Sequence, residues 1–138
     1  MLFDDNNVHV DERGFTKEVY LLDKAYADQI PEEIRRIHFS QNTKSGTRRG
    51  FCKHKHLREA MIVLKGSARI IIADPETDIP VKHILSGMDG KVVVVPKQWW
   101  HGWESLEDDT MLMYISSQTH DESCTDFEHH ENAEEWWG

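Results

Sequence analysis

Three side chains that move protons or hold metals recur at every second position in Arg49-Gly50-Phe51-Cys52-Lys53-His54-Lys55-His56-Leu57. Read as a β-strand, that spacing puts Cys52, His54 and His56 on one face and Arg49, Phe51, Lys53 and Lys55 on the other. An unperturbed imidazole titrates near pKa ~6.5 and a thiol near ~8.5, so such a row suits proton transfer close to neutral pH. The same atoms are also ligands for transition metals.

A basic island surrounds the row. Arg35, Arg36, Lys44, Arg48, Arg49, Lys53, Lys55 and Arg58 are eight of the chain's 16 basic residues, and no Asp or Glu lies between Arg35 and Arg58. In a chain of formal net charge −9, such an island points to a local anionic ligand of the phosphate or diphosphate kind. Its plainer reading is a solvated face with a salt-bridged loop. The overall acidity argues against non-specific nucleic-acid binding.

The elements that must carry these residues are short. At 138 residues, with 30% charged and 38% hydrophobic positions, the chain is expected to form one globular domain with a buried core. Apolar or alternating runs predict strands over 8–10, 15–22, 35–41, 49–57, 60–64, 69–73, 81–85, 91–96 and 110–116, separated by Gly-, Asp- and Asn-rich turns. The Lys65-Gly66 step between two apolar runs is a hairpin signal. The adjacent Trp99 and Trp100 must place one ring on each face of whatever strand holds them. No long amphipathic helix is evident. The pattern is that of an all-β sandwich or jelly roll over 1–120. Residues 121–138 form an acidic, His-rich tail that either docks as a short helix through Trp136-Trp137 or stays disordered. Among its histidines, His129 and His130 are expected to be solvated.

Two cysteines, Cys52 and Cys124, do not make a disulfide framework. The acidic N-terminus shows no signal peptide, and the apolar runs are strand-length, so a reducing cytoplasm and no membrane partner are expected.

Two stretches resemble known motifs. His54-x-His56-x-x-Glu59, six residues and Gly66 are close to the first motif of the cupin superfamily. Gly90, five residues, Pro96 and four more residues to His101 are close to the second. That resemblance implies a small single-domain jelly-roll barrel of about eight to ten strands, with inward side chains lining one pocket. Within cupins the chain is similar to the nucleotide-sugar isomerases and epimerases. Asp11-Glu12-Arg13-Gly14-Phe15-x-x-Glu18 resembles the N-terminal motif of the dTDP-4-dehydrorhamnose 3,5-epimerases. Their His-Gly-Phe stretch resembles His101-Gly102-Trp103, and their catalytic tyrosine lines up with Tyr114. Over 36–122 the chain is closer to the dTDP-4-oxo-6-deoxyglucose 3,4-ketoisomerases, whose Arg-Gly-x-His-Ala-His-Lys signature lies over Arg49 to Lys55 without a gap. Where both families have a first catalytic histidine, this chain has Cys52.

The resemblance implies an isomerase of the WxcM-like kind acting on a dTDP-4-keto-6-deoxy sugar, in polysaccharide or antibiotic-sugar synthesis. A proton beside the ketone is removed, giving an enediolate that is protonated elsewhere. His54 is the expected base, with Cys52 as its partner if cationic neighbours lower the thiol pKa, and Tyr114 as the acid. Arg49, Arg36 and Arg13 are expected on the diphosphate, and Trp100 or Trp103 against the sugar or base. Glu18, His56 and His101 are expected among the substrate contacts. No cofactor is expected, since the ketone acidifies its own neighbouring C–H bond. A homodimer is implied by analogy with the family. One rival is a metal-dependent cupin using His54, His56, Glu59 and His101, although the gap from His56 to Glu59 is one residue short of the usual motif. Another is a non-catalytic protein that binds a sugar nucleotide.

Overall fold

The computed structural model describes residues 1–4, 7–18, 34–117, 127–131 and 133–138. Twelve strands lie among them: β1 (Leu2–Asp4), β2 (Asn7–Asp11), β3 (Gly14–Glu18), β4 (Arg36–Asn42), β5 (Arg48–His54), β6 (Glu59–Lys65), β7 (Ser67–Ala73), β8 (Pro80–Ser86), β9 (Lys91–Val95), β10 (Trp100–Ser105), β11 (Thr110–Ser116) and β12 (Phe127–His129). A single 3₁₀ turn, Glu134–Trp137, is the helical element described. Ten strands form two five-stranded antiparallel sheets, ordered β1-β9-β6-β11-β4 and β12-β5-β10-β7-β8, and β2 pairs with β3. This is the expected all-β jelly-roll sandwich, with more strands than the turn signals marked.

The layer between the sheets is filled by Met61 and Val63 of β6, Ile70 and Ile72 of β7, Leu85 of β8, Val93 and Val95 of β9, and Leu112 of β11. Their neighbours Ala60, Ile62, Val92, Val94 and Ile115 form a second buried cluster on the other face of the first sheet. Because β6 and β9 are covered on both faces, their sequences run apolar without alternation. Each such side chain contributes about 1.5–3 kcal/mol by leaving water.

Three expectations change. Lys65-Gly66 does not close a hairpin: β6 pairs with β9 and β11, and β7 pairs with β8 and β10. The step carries the chain from one sheet to the other, with Gly66 at φ 78° and packed so closely on Thr110 that a Cβ would lie 2.5 Å from its Oγ1. Residues 100–105, which carry no regular alternation of apolar positions, form β10 between β5 and β7. A close backbone approach makes that strand possible. A Cβ on Gly50 would lie 2.6 Å from Gly102 Cα, and one on Gly102 would lie 2.8 Å from the Arg49 carbonyl oxygen. Both positions therefore need glycine.

The tail docks, through strand as well as helix. β12 extends the second sheet beside β5, pairing His129 with Cys52 and Phe127 with His54. The 3₁₀ turn then buries Trp136 and Trp137 with Phe51, Ile71, Ala73 and Trp100. Phe51 stacks on Trp137 at 4.3 Å and meets Trp136 edge-on at 5.1 Å. His129 is exposed, whereas His130 is partly buried against Trp100 and Trp136, with Nε2 3.7 Å from Asp78 Oδ1. The expectation of solvent thus fails for His130, because the Trp pair brings that segment onto the sheet. The junction expected near 120 and Cys124 lie outside the described residues.

Candidate active site

At one end of the sandwich the apolar layer gives way to a cavity of about 260 Å³. Alternation along β4 and β6 puts part of its wall in place, while a register shift between β5 and β10 lets Arg49, expected on the opposite face, line the cavity with Cys52 and His54. β4 contributes Arg36, His38 and Ser40; β5 contributes Arg49, Gly50, Cys52 and His54; β6 contributes Glu59 and Met61; β10 contributes His101, Gly102 and Trp103; β11 contributes Tyr114; and Leu57 closes the edge. The Cys/His row therefore faces a lined cleft, with two of its three members.

The third member does not reach it. β5 ends at His54, and His56 lies beyond the strand, exposed and outside the cavity. The inward pair is Cys52-x-His54, which leaves four residues between His54 and Glu59 and removes the shortfall noted when His56 was taken as the second member. The four-residue metal set of His54, His56, Glu59 and His101 is accordingly not assembled.

Other expected contacts also move. Trp100 points to the outer face, buried with Phe51 and the tail tryptophans under Lys53, whose Nζ lies 4.6 Å from its ring. Trp99 packs against the interlayer core, so the pair does divide between the two faces. Arg13 sits on the exposed β2–β3 turn and is held by Asp11 at 2.6 Å. Glu18 on β3 faces His9 at 3.5 Å. Neither lines the cavity of this chain. Arg36, Arg49, His54, His101, Trp103 and Tyr114 do. Two polar lining residues were missed, His38 and Ser40. The signal was available, since both share a strand face with Arg36 at two-residue spacing.

The polar groups form two connected sets. In the first, Cys52 Sγ lies 3.7 Å from His101 Nε2, which lies 3.5 Å from Glu59 Oε2. The His54 and His101 rings are 5.9 Å apart between centroids. Burial pushes His101 down to about 4, helped by the adjacent His54, so its imidazole is neutral. Burial pushes the Glu59 carboxyl up to about 8 against the opposing pull of Arg36. The Cys52 thiol is pushed up to about 12 by burial and by Glu59. A thiolate base needed cationic neighbours, and the structure supplies desolvation and a carboxyl group instead. Burial thus favours the thiol form of Cys52 over the thiolate that a second base would need.

In the second set, Trp103 Nε1 donates to Tyr114 Oη at 2.6 Å, and the Tyr114 ring stacks on His38 at 4.3 Å. Burial raises the phenol to about 12, opposed by hydrogen bonds with Ser40 and Trp103. Tyr114 thus keeps its proton at neutral pH. Arg49 is oriented by Asn42 Oδ1 at 2.7 Å and the Gln41 carbonyl at 3.3 Å. The cavity joins a half-buried imidazole, a protonated phenol, two guanidinium groups and a set of neutral donors, an arrangement suited to moving protons on an anionic ligand.

Known proteins share this architecture. The TDP-4-oxo-6-deoxy-alpha-D-glucose-3,4-oxoisomerase of Aneurinibacillus thermoaerophilus is 29% identical over 94 residues, covering 68% of this chain and 66%, just under two thirds, of that enzyme. A dTDP-4-dehydrorhamnose 3,5-epimerase structure from Bacillus anthracis superposes with a TM-score of 0.81 at 23% identity, over 97% of this chain and 80% of that one. QdtA, a sugar 3,4-ketoisomerase from Thermoanaerobacterium thermosaccharolyticum solved with TDP, does so with a TM-score of 0.73 at 21% identity, over 96% and 88%. At those identities the solved structures speak to the fold. The family described as FdtA, WxcM-like, C-terminal matches residues 6–134, and the chain belongs to that family.

Proposed function

We propose that this chain is a sugar-nucleotide 3,4-ketoisomerase, shifting the ketone of a dTDP-linked 4-keto-6-deoxyhexose from C4 to C3. The observation that carries this reading is the meeting of His54 and Tyr114, from strands of opposite sheets, in one cavity with Arg36 and Arg49. His54 takes the C3 proton while Tyr114 gives its proton to the C4 ketone oxygen, leaving an enediol. The O3 proton then leaves and a proton is returned to C4, so the reaction is redox-neutral overall. Arg36 and Arg49 bind the diphosphate. Trp103 holds Tyr114 in place, and the neutral thiol of Cys52 fills the space where the related enzymes carry a first histidine. The 3,4-oxoisomerase activity of the curated relative favours a ketone shift over C3/C5 epimerisation.

Solvent-deuterium incorporation into a dTDP-4-keto-6-deoxy sugar, followed by NMR of the product, tests this. A 3-keto product, with exchange lost in His54→Ala, is the expected result. Exchange at C3 and C5 with inverted stereochemistry would instead mark an epimerase. Thermal stabilisation by dTDP without exchange or turnover would mark a binding protein and overturn the enzymatic reading.

The working form is proposed to be a cytoplasmic homodimer. Ile37 and Phe39 are exposed on β4, the edge strand of the first sheet, and Val10 and Phe15 are exposed on the β2–β3 hairpin. Apolar side chains left exposed on an edge strand are costly to leave in water and favour pairing with another copy. The cytoplasmic placement rests on the sugar-nucleotide substrate and the free Cys52 thiol. No helix described is long and apolar enough to cross a membrane. Light scattering of the purified chain at twice its monomer mass supports the dimer, and a monomer at micromolar concentration sinks it.

A further inference from the structure

A shift of a ketone from C4 to C3 moves two protons. One passes between the carbons, and His54 of β5, in the second sheet, is placed to carry it. The other passes from O3 to O4, and Tyr114 of β11, in the first sheet, supplies only the O4 half. Trp103 Nε1 fixes Tyr114 Oη at 2.6 Å, so the phenol is aimed at one substrate oxygen. The neighbouring oxygen needs an acceptor of its own.

His38 stands in that place. It lies directly opposite Tyr114 in the β4–β11 register, and both side chains line the cavity. Their rings are parallel to within 4°, with centroids 4.3 Å apart. The cross-strand pair therefore presents a phenol and an imidazole side by side to one ligand. The other lining groups suit the task less well. Burial favours the thiol form of Cys52 and the protonated form of Glu59, and pushes His101, on the opposite sheet, down to about 4. The guanidinium groups of Arg36 and Arg49 donate hydrogen bonds and accept none.

We propose that His38 is the second proton carrier of the reaction, taking the O3 proton while His54 returns its own proton to C4. This rests on the isomerase reading. In the first step His54 gains the C3 proton and Tyr114 becomes a tyrosinate as O4 is protonated. In the second, the O3–H bond breaks, its proton passes to His38, and the electron pair left on O3 forms the C3 ketone. The double bond of the enediol takes the His54 proton at C4. His38 is then an imidazolium stacked on a tyrosinate, two opposite charges in ring contact. Its proton returns to Tyr114 through solvent, which reaches the half-buried His38. All three side chains end as they began, with no change of oxidation state. One sheet carries the proton of the oxygens, and the other carries the proton of the carbons.

NMR in D₂O with TDP-4-keto-6-deoxyglucose separates the two steps. Deuterium at C3 of the recovered 4-keto sugar reports the first, and the 3-keto product reports the second. His38→Phe keeps a ring against Tyr114 but cannot accept a proton. Its product rate should fall by about 10²–10⁴-fold, the usual worth of a positioned acid or base, while C3 exchange and KM stay close to those of the unaltered chain. Added imidazole should restore part of the product rate in His38→Ala, an outcome that a packing role would not give. Should His38→Phe fail to fold by circular dichroism, that rescue decides. An undiminished product rate in His38→Phe overturns the proposal, and so does a joint loss of exchange and product in both variants without rescue. Either result leaves the isomerase reading standing if the unaltered chain turns over. An unaltered chain that neither exchanges nor turns over removes that reading, and the role of His38 falls with it.

Discussion

The two faces of β5 differ in kind although their residues alternate along one strand. Outward, Phe51 is 3% exposed and clasped by Trp136 and Trp137, while Lys53 lies over Trp100 and 3.6 Å from Glu128. Inward, Cys52 and His54 border a cavity that they share with Arg36, Arg49, Glu59 and His101. The outer face holds the strand in position, and the inner face uses that position. A segment distant in sequence, the docked tail, thereby supports the strand that carries the candidate base. It also covers what would otherwise be an open sheet edge beside Cys52.

The sharpest way to separate the faces is a pair of substitutions. His54→Ala should lower deuterium exchange by about 10²–10⁴-fold, the usual worth of a positioned proton-transfer group, with little change in melting temperature. Phe51→Ala should do the reverse. It should cost about 3–5 kcal/mol of stability in denaturant titration, while the fraction still folded at low temperature retains exchange. Equal losses of stability and exchange in both variants would show that the two faces cannot be separated.

Tyr114→Phe is expected to affect both properties, more gently. It removes the proton donor and leaves Trp103 Nε1 without its acceptor, at about 1–3 kcal/mol for a buried unsatisfied donor. A variant with undiminished turnover would remove Tyr114 from the chemistry and leave it a packing residue.

The smallest effect concerns pH. Glu59 has its carboxyl pKa raised from the ordinary 4.5 to about 8 by burial. The fold therefore favours the protonated form, so stability from this group is intact below 4.5 and is lost as pH rises through 8. Glu59→Gln mimics the protonated state. Its melting temperature relative to the unaltered chain should climb between pH 5 and pH 8.5, measured by calorimetry. A flat difference would mean that Glu59 is ionised in the fold, paired with Arg36.

Much was legible before any coordinates. Period-two alternation marked β4, β5 and the apolar strands, and the two tryptophans at 99 and 100 had to divide between faces. Those are local properties, because a strand has only two faces and burial selects between them. Cys52, His54, Arg36, Arg49, His101, Trp103 and Tyr114 were all named from residue type and spacing or from likeness to known motifs, and all line the cavity.

Other features depended on where strands end and which strands meet. His56 left the row because β5 stops at His54, and Trp100 faced outward because the tail supplied a partner for it. Lys65-Gly66 looked like a hairpin locally, yet its flanking strands belong to different sheets. The ionisation states of Cys52, Glu59 and His101 were likewise set by burial and by neighbours up to 57 positions apart in sequence, as Ser116 is from Glu59. By itself the sequence determined the alternation, the kinds of groups available and the family. Only the tertiary structure decided which groups share one cavity, because desolvation and non-local pairing exist only once the sheets have met.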